Sequence, residues 1–461
     1  MPDSLARLWS VDLPREHGFE PLIVEGELPV ELRGTLYRNG PGLFGQRGVR
    51  YAHPFESDGA LTAIRIGGGT AAGAVRITQT RGLREERAAG RMLFGTRAPW
   101  LRRIRNLVKG DHKNTANTSV LVWQGRLFAL MEAGRPTELR ADDLTTIGES
   151  NLDGAIVSWF SAHPHRVAAR RTTYGFGLEY GRRPRLHLYA LPDHGPARHL
   201  GTLALAGAPM LHDFIATETH LVFFVSPVRV DIPRVLLQLG DFEQLFRWRP
   251  ELATEVICVP IDRPAEPVRF MADAFFQWHF VNAFDQGGEI IVDYVRYPTF
   301  ESFHSLGQLG RGGGPGALAH GRLHRAILDP RARTLRSEPM SDLGCEFPTI
   351  APGSEGRAHA ATYLVLGELR GLGKFETASR TLVRHDLPPS QHVTEPLFVP
   401  RPGAAHLDDG WLLSLGHDGP SERAFLAVYD AARLADGPRA RVWFDHHLPI
   451  TFHGTFVPEG R

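Results

Sequence analysis

Twenty-two histidines occur in 461 residues, and four of them stand in unusually apolar or strand-edge surroundings. They are His163 in Ser161-Ala162-His163-Pro164, His212 in Met210-Leu211-His212-Asp213-Phe214, His279 in Gln277-Trp278-His279-Phe280, and His453 in Thr451-Phe452-His453-Gly454. Neutral imidazole is the commonest metal ligand. Four such rings would hold a divalent transition metal through nitrogen and leave it its full double charge. No compact His-Glu-x-x-His motif is present. The wide spacing fits instead one ligand from each of several repeated units converging on an axis. Taken singly, each histidine is more often a hydrogen-bonded core or surface residue than a ligand, and spacing alone does not decide.

The elements that must position these rings read as strands. Short apolar runs, bounded by Gly, Pro, Asn or Asp, recur from one end of the chain to the other. Examples are 61–66, 119–130 with a turn at Gln124-Gly125, 186–191, 221–230, 256–261, 289–297, 361–366, 411–415 and 425–429. They are rich in Val, Ile, Leu, Phe and Tyr, and long helical periodicity is nearly absent. The expected class is all-β, a propeller or a stack of sheets, although no clean propeller-type repeat is visible in the sequence.

Composition narrows the chemistry. Lys and Arg number 52 against 51 Asp and Glu, a formal charge of +1, which argues against a nucleic-acid-binding surface. Two cysteines, Cys258 and Cys345, exclude a disulfide framework and a cysteine-held zinc or iron–sulfur site. The opening residues carry no long apolar stretch, and no run of about 18 apolar residues occurs. A cytoplasmic protein without a transmembrane helix is therefore expected. A length of 461 residues fits two or three domains or one large closed architecture. The run Gly312-Gly313-Gly314-Pro315-Gly316 is followed by no Lys-Ser/Thr pair and reads as a loop, not a phosphate cradle. No Gly-x-Ser-x-Gly elbow is present, which weakens an α/β-hydrolase reading.

Two segments break the strand pattern. In 92–109, Trp100, Leu101, Ile104, Leu107 and Val108 fall on one helical face, with Arg102, Arg103, Arg105 and Lys109 largely elsewhere. The second segment, 233–248, holds Val235, Leu236, Leu237, Leu239, Leu245, Phe246 and Trp248. One reading is an excursion packed on the sheets. The other is a basic, apolar surface that dips into a membrane or guards an apolar tunnel.

The words around the histidines resemble the carotenoid cleavage oxygenase family, and bacterial apocarotenoid oxygenases within it. The resemblance is carried in order by Leu32-Arg33-Gly34-Thr35-Leu36-Tyr37-Arg38-Asn39-Gly40-Pro41-Gly42, by His53-Pro54-Phe55-Glu56-Ser57-Asp58-Gly59-Ala60-Leu61, and by Asn114-Thr115-Ala116-Asn117-Thr118-Ser119. Leu130-Met131-Glu132-Ala133-Gly134, Glu346-Phe347-Pro348, Thr394-Glu395-Pro396 and the four histidine contexts complete it. It runs from about residue 20 to the C-terminus. The family usually has Gly or Asp where Ser57 stands.

The resemblance implies a single domain over 1–461, a seven-bladed β-propeller whose helical and loop excursions cap an axial Fe(II). Its ligands would be His163, His212, His279 and His453, with Glu132, Glu346 and Glu395 accepting the outer N–H of three of the rings. Such pairing fixes tautomer and orientation and strengthens the donor. It also gives buried carboxylates the partner they need. Thr118 matches a position that restricts access to an open coordination site, and Phe55, Met131 and Trp278 fall on the substrate tunnel. The implied activity is cleavage of a C=C bond of a carotenoid or apocarotenoid by dioxygen, giving two carbonyl products.

The branch of the family that splits stilbenes anchors a phenol with a Lys just before the residue matched by Glu132, and with a Tyr further upstream. Met131 occupies the Lys position here, and no Tyr occurs between Tyr51 and Tyr174. A phenolate without those partners would lose hydrogen bonds that are costly to replace, so the sequence leans towards a long apolar polyene. The alternatives are cleavage of a stilbenoid or other aryl-alkene, and a non-catalytic propeller whose metal is structural.

Overall fold

The computed structural model describes residues 4–313, 321–404, 406 and 409–460. Strands lie where the apolar runs place them. The 119–130 run becomes strands Ser119–Trp123 and Arg126–Leu130 around Gln124-Gly125, and 289–297 and 361–366 are strands over their full predicted length. The 221–230 run breaks at Ser226-Pro227 into His220–Val225 and Val228–Val230, because proline cannot donate to a ladder.

Every pairing between strands is antiparallel, in small sheets of sequential neighbours. Among the described residues the sheets have five, four, four, four, six and seven strands, with two separate two-stranded ribbons. The seven-stranded path is continuous because one long strand, Thr334–Thr349, pairs with Arg322–Asp329 along its first part and with Ala361–Leu366 along its last. Near each end of the chain the sheets interlock. Ile23–Gly26 pairs with Ala440–Trp443, and His453–Pro458 pairs with Gly34–Leu43. Apolar side chains fill the spaces between neighbouring sheets. One cluster, for example, joins Leu36, Ile64 and Val75 to Trp411, Leu426 and Val442. Cys258 and Cys345 are buried and unpaired, and burial pushes both thiols up to about 12.

The excursions are shorter and less regular than the apolar segments suggest. Within 92–109 only Trp100–Lys109 is helical; it begins after Pro99 and ends at Gly110, whose φ of 63° permits the left-handed cap. Met92, Leu93 and Phe94 are buried in a loop that Glu86 holds by accepting from the N–H groups of Leu93 and Phe94 at 2.8 and 2.9 Å. The 233–248 segment divides into helix Ile232–Leu237, a 3-10 turn Phe242–Leu245 and strand Phe246–Trp248. The two helices touch, with Trp100 Nε1 donating to the Leu237 carbonyl at 3.1 Å. Their apolar faces are not packed on the sheets. Leu101 is 76% and Val108 81% exposed, and Trp100, Leu107, Ile232, Leu236, Leu237 and Leu239 are exposed with them. Gly312 and Gly313 follow helix Glu301–Gly310 without regular structure, and Gly314-Pro315-Gly316 lie outside the described residues.

Candidate metal centre

Two of the four histidines stand in loops before short strands, and two stand on strands, one at a register shift and one at a strand start. His163 sits in the turn before strand His165–Val167, and His212 in the loop before Ile215–Ala216. His279 lies on strand Phe276–Gln286 where the pairing register shifts between Gln277 and Phe280. A bulge of this kind re-aims side chains, and Gln277, Trp278, His279 and Phe280 are all buried. His453 opens the closing strand, opposite Asn39. Asp213 ties two of these places together. Its Oδ2 accepts the Phe280 N–H at 3.0 Å, and its Oδ1 accepts from Phe214 N and His165 Nε2, both at 2.8 Å.

The four rings converge. Donor nitrogens of His163, His212 and His279 all lie within 4.8 Å of one another, and the Nε2 atoms of His212 and His279 are 3.4 Å apart. The His453 ring centre stands 4.8 Å from that of His163 and 4.7 Å from that of His279. Two nitrogens 3.4 Å apart suit neighbouring ligands of one ion at metal–nitrogen distances of about 2.1 Å. His163 Nε2 is buried without a hydrogen-bond partner, a condition a metal would relieve. Burial, then the neighbouring rings of His212, His453 and His279, drives the His163 pKa well below its usual value. The ring is therefore a neutral donor. The set fits a divalent metal.

The three glutamates stand behind the rings. His212 Nδ1 donates to Glu132 Oε1, His279 Nδ1 to Glu346 Oε2 at 2.5 Å, and His453 Nδ1 to Glu395 Oε1 at 2.8 Å. Among the described residues no carboxylate pairs with His163. Burial opposes charge on both Glu346 and Glu395, yet the rings of His279 and His453 hold their pKa values below normal. For His279 burial pulls the pKa down, but Glu346 outweighs it and the ring's pKa is raised.

Sequence reasoning missed the groups behind the glutamates. Arg38, 1% exposed, donates from Nη1 to Glu395 Oε2 at 2.5 Å. Tyr297 Oη donates to Glu346 Oε1 at 3.0 Å. Arg38 lies inside a quoted motif, but its partner is 357 residues away. The one available signal was a cation in an otherwise apolar strand, which must find an anion if buried.

Two cavities adjoin beside this centre. One, of about 590 Å³, is lined by Phe55, Thr118, Met131, Glu132, Trp159 and Tyr180 among others, and reaches Leu107, Ile232 and Val235 on the exposed helices. The other, of about 60 Å³, is lined by His212, His279 and His453 with Trp278, Phe347 and Phe452. Phe55 and Thr118 line both. Thr118 Oγ1 donates to Asn117 Oδ1 at 3.1 Å, and its carbonyl accepts the His453 N–H at 3.3 Å. Trp278 packs edge-on against His212 at 4.8 Å, with its Nε1 donating to Ser302 Oγ at 2.8 Å. Met131 Sδ accepts the Thr115 N–H at 3.1 Å.

The large cavity does hold a Lys, Lys113, and two Tyr, Tyr51 and Tyr180. Tyr180 Oη donates to the Pro209 carbonyl at 2.8 Å, and the other two engage each other and nearby carboxylates. Lys113 Nζ donates to Glu86 Oε2 and Tyr51 Oη, both at 2.7 Å, and is ion-paired with Asp58 Oδ1 at 2.6 Å. Tyr51 Oη donates to Asp58 Oδ2 at 2.9 Å. Lys113 and Tyr51 are both held in this buried charged cluster.

A mostly β protein with buried, carboxylate-backed histidines beside two adjoining cavities belongs to a narrow class, the sheet-built metalloproteins with histidines drawn from distant parts of the chain. Within that class the chain belongs to the retinal pigment epithelial membrane protein family of carotenoid oxygenases, whose model matches residues 12–458. It is 32% identical to the apocarotenoid-15,15'-oxygenase of Synechocystis over 96% of this chain and 94% of that one. It is 26% identical to a carotenoid cleavage oxygenase of Mycobacterium tuberculosis, covering 95% and 94%. The solved structure of cobalt-substituted Synechocystis ACO superposes with a TM-score of 0.89 at 30% identity, covering 99% of each chain.

Proposed function

We propose that this chain is an oxygenase that cleaves a C=C bond of a carotenoid or apocarotenoid into two carbonyl products, built as one domain on a seven-bladed β-propeller. Dividing the seven-stranded path at the shared strand Thr334–Thr349 leaves seven antiparallel sheets besides the two ribbons. That number supports the blade count. Fe(II) is the proposed metal, held by His163, His212, His279 and His453, with Glu132, Glu346 and Glu395 orienting three of the rings. When bound, it supplies the place at which dioxygen is activated beside the double bond.

The chain's own residues do the rest. The large cavity takes the apolar polyene out of water, and Phe55 and Trp278 give it aromatic walls near the centre. Thr118, between the two cavities, narrows the approach to the centre. Met131 replaces a cationic anchor with an apolar surface, so that register along the polyene comes from shape and not from a charged contact. No side chain is assigned as acid or base. The observation that carries this reading is the largely apolar cavity that adjoins the histidine centre at Phe55 and Thr118, with Lys113 and Tyr51 tied to Asp58 and Glu86.

The segments 100–109 and 232–239 lend Leu107, Ile232 and Val235 to the lining of that cavity while Leu101, Val108, Leu236 and Leu237 stay exposed, with Arg102, Arg105 and Lys109 beside them. This arrangement supports peripheral contact with an anionic membrane, from which a lipid-dissolved substrate would enter. Among the described residues no helix is long and apolar enough to cross a membrane.

Mass spectrometry tests the function. Fe(II)-loaded protein is incubated under labelled dioxygen with a mixture of an apocarotenal and a hydroxystilbene. Labelled polyene-derived carbonyls are expected, and their masses locate the bond cut. Labelled benzaldehydes would transfer the chain to aryl-alkene cleavage. Absence of either product, with zinc as the purified metal, would favour a structural centre.

A further inference from the structure

The three carboxylates behind the rings are alike in sequence but unlike in charge. Glu132 is part-exposed and accepts from His212 Nδ1, and no cation lies on it among the described residues. Glu346 receives two neutral donors besides His279, Tyr297 Oη at 3.0 Å and Phe347 N at 2.6 Å. Glu395 receives a full cation. Arg38 Nη1 stands 2.5 Å from its Oε2, which also accepts the Gly454 N–H at 3.0 Å. The guanidinium is held by more than this pair. Its Nη2 donates to the Phe452 carbonyl at 3.0 Å and to Thr394 Oγ1 at 3.1 Å, and its Nε to Thr451 Oγ1 at 3.3 Å. Every one of these acceptors lies within two residues of Glu395 or His453.

A carboxylate strengthens an imidazole ligand by drawing on the proton of its outer nitrogen. A guanidinium on the same carboxylate draws its charge the other way, and in a buried site little solvent screens the competition. We propose that Arg38 is a positioning residue that offsets the charge of Glu395 and thereby makes His453 a weaker donor than His212 and His279. With His163, which has no carboxylate, the centre then has two strong imidazoles and two weak ones. The inference rests on the four-histidine ligand reading above.

The sign of the effect separates this role from a merely structural one. Cobalt(II) serves as the probe, because its visible bands report ligand strength and its loss to a chelator can be timed without turnover. In Arg38→Met, Glu395 keeps its charge for His453. Cobalt should leave at least threefold more slowly than from the wild type, with its bands moved to higher energy. If Arg38 only props up the fold around His453, removing it loosens the ligand, and cobalt should leave faster with the bands unmoved or weakened. That result overturns the proposal. Arg38→Lys keeps the charge without the fork and decides the matter if Arg38→Met fails to fold. An off-rate within twofold of wild type supports charge compensation, and a loss of tenfold or more overturns it. His279→Ala is the separate control. If it binds cobalt as the wild type does, the ligand reading itself fails, independently of Arg38.

Discussion

Glu346 and His279 illustrate how two residues 67 positions apart become one chemical unit. Replacing Glu346 by Gln keeps the shape but removes the charge that raises the His279 pKa and orients its ring. Metal affinity should fall roughly 10–100-fold, read by cobalt titration, with the circular dichroism spectrum unchanged. His417 makes a different prediction. It is buried with both ring nitrogens unpartnered, against His447 at 5.1 Å, and burial lowers its pKa to about 4. A histidine kept neutral in the fold is harmless above its unfolded pKa of about 6.5 and destabilises as pH falls from there towards 4. His417→Leu should therefore raise the unfolding free energy, read from urea titrations, by on the order of 2 kcal/mol more at pH 4.5 than at pH 7.5. An equal effect at both pH values would show that His417 is not the group responsible. The histidines and glutamates of the centre were legible because each stands in a distinctive local phrase. Arg38, Tyr297 and Asp213 were not, because their roles exist only through partners brought near by folding.

At the level of elements, alternation and turn residues gave the strand positions, since a strand's pattern is local. The register shift at Gln277–Phe280 left no such trace, because bulging depends on what the partner strand Glu289–Tyr297 does. The segment Asn114–Ser119 is held by a close approach. Gly59 donates to the Thr115 carbonyl at 2.8 Å, Ala116 sits at φ 48°, and a Cβ on Gly59 would stand 2.0 Å from the Ala116 carbonyl oxygen. Gly59→Ala should destabilise by roughly 1–3 kcal/mol and disturb Thr118, seen as a lowered Tm and altered product ratio. The helix Trp100–Lys109 makes the opposite case, exposed where amphipathic helices normally bury. Leu101→Asp with Val108→Asp should change stability by less than about 0.5 kcal/mol each while abolishing co-sedimentation with anionic vesicles. Vesicle binding that survives this pair would move the membrane surface elsewhere.

For the whole molecule, the interlocked ends decide integrity. Deleting residues 4–26 removes the partners of Ala440–Trp443 and Thr70–Ile77 and bares two sheet edges. Bare edges recruit other chains, so size-exclusion chromatography should show aggregates in place of a discrete species. A well-folded truncated form with an unaltered melting curve would mean that the sheets do not depend on this closure. The all-β class was legible from the sequence, whereas the pairing of the two ends of the chain was not. Pairing between strands more than 400 residues apart, as between Gly34–Leu43 and His453–Pro458, is invisible to any local pattern.

That last pairing also sets an order of events during synthesis. His163, His212 and His279 leave the ribosome well before His453, which arrives on the strand that closes the sheets. Until that strand docks against Gly34–Leu43, the nascent protein can offer an ion three rings but not the fourth, and the cavity walls contributed by Phe452 and His453 are missing. The proposed four-histidine set is thus complete only once the strand His453–Pro458 has docked on Gly34–Leu43.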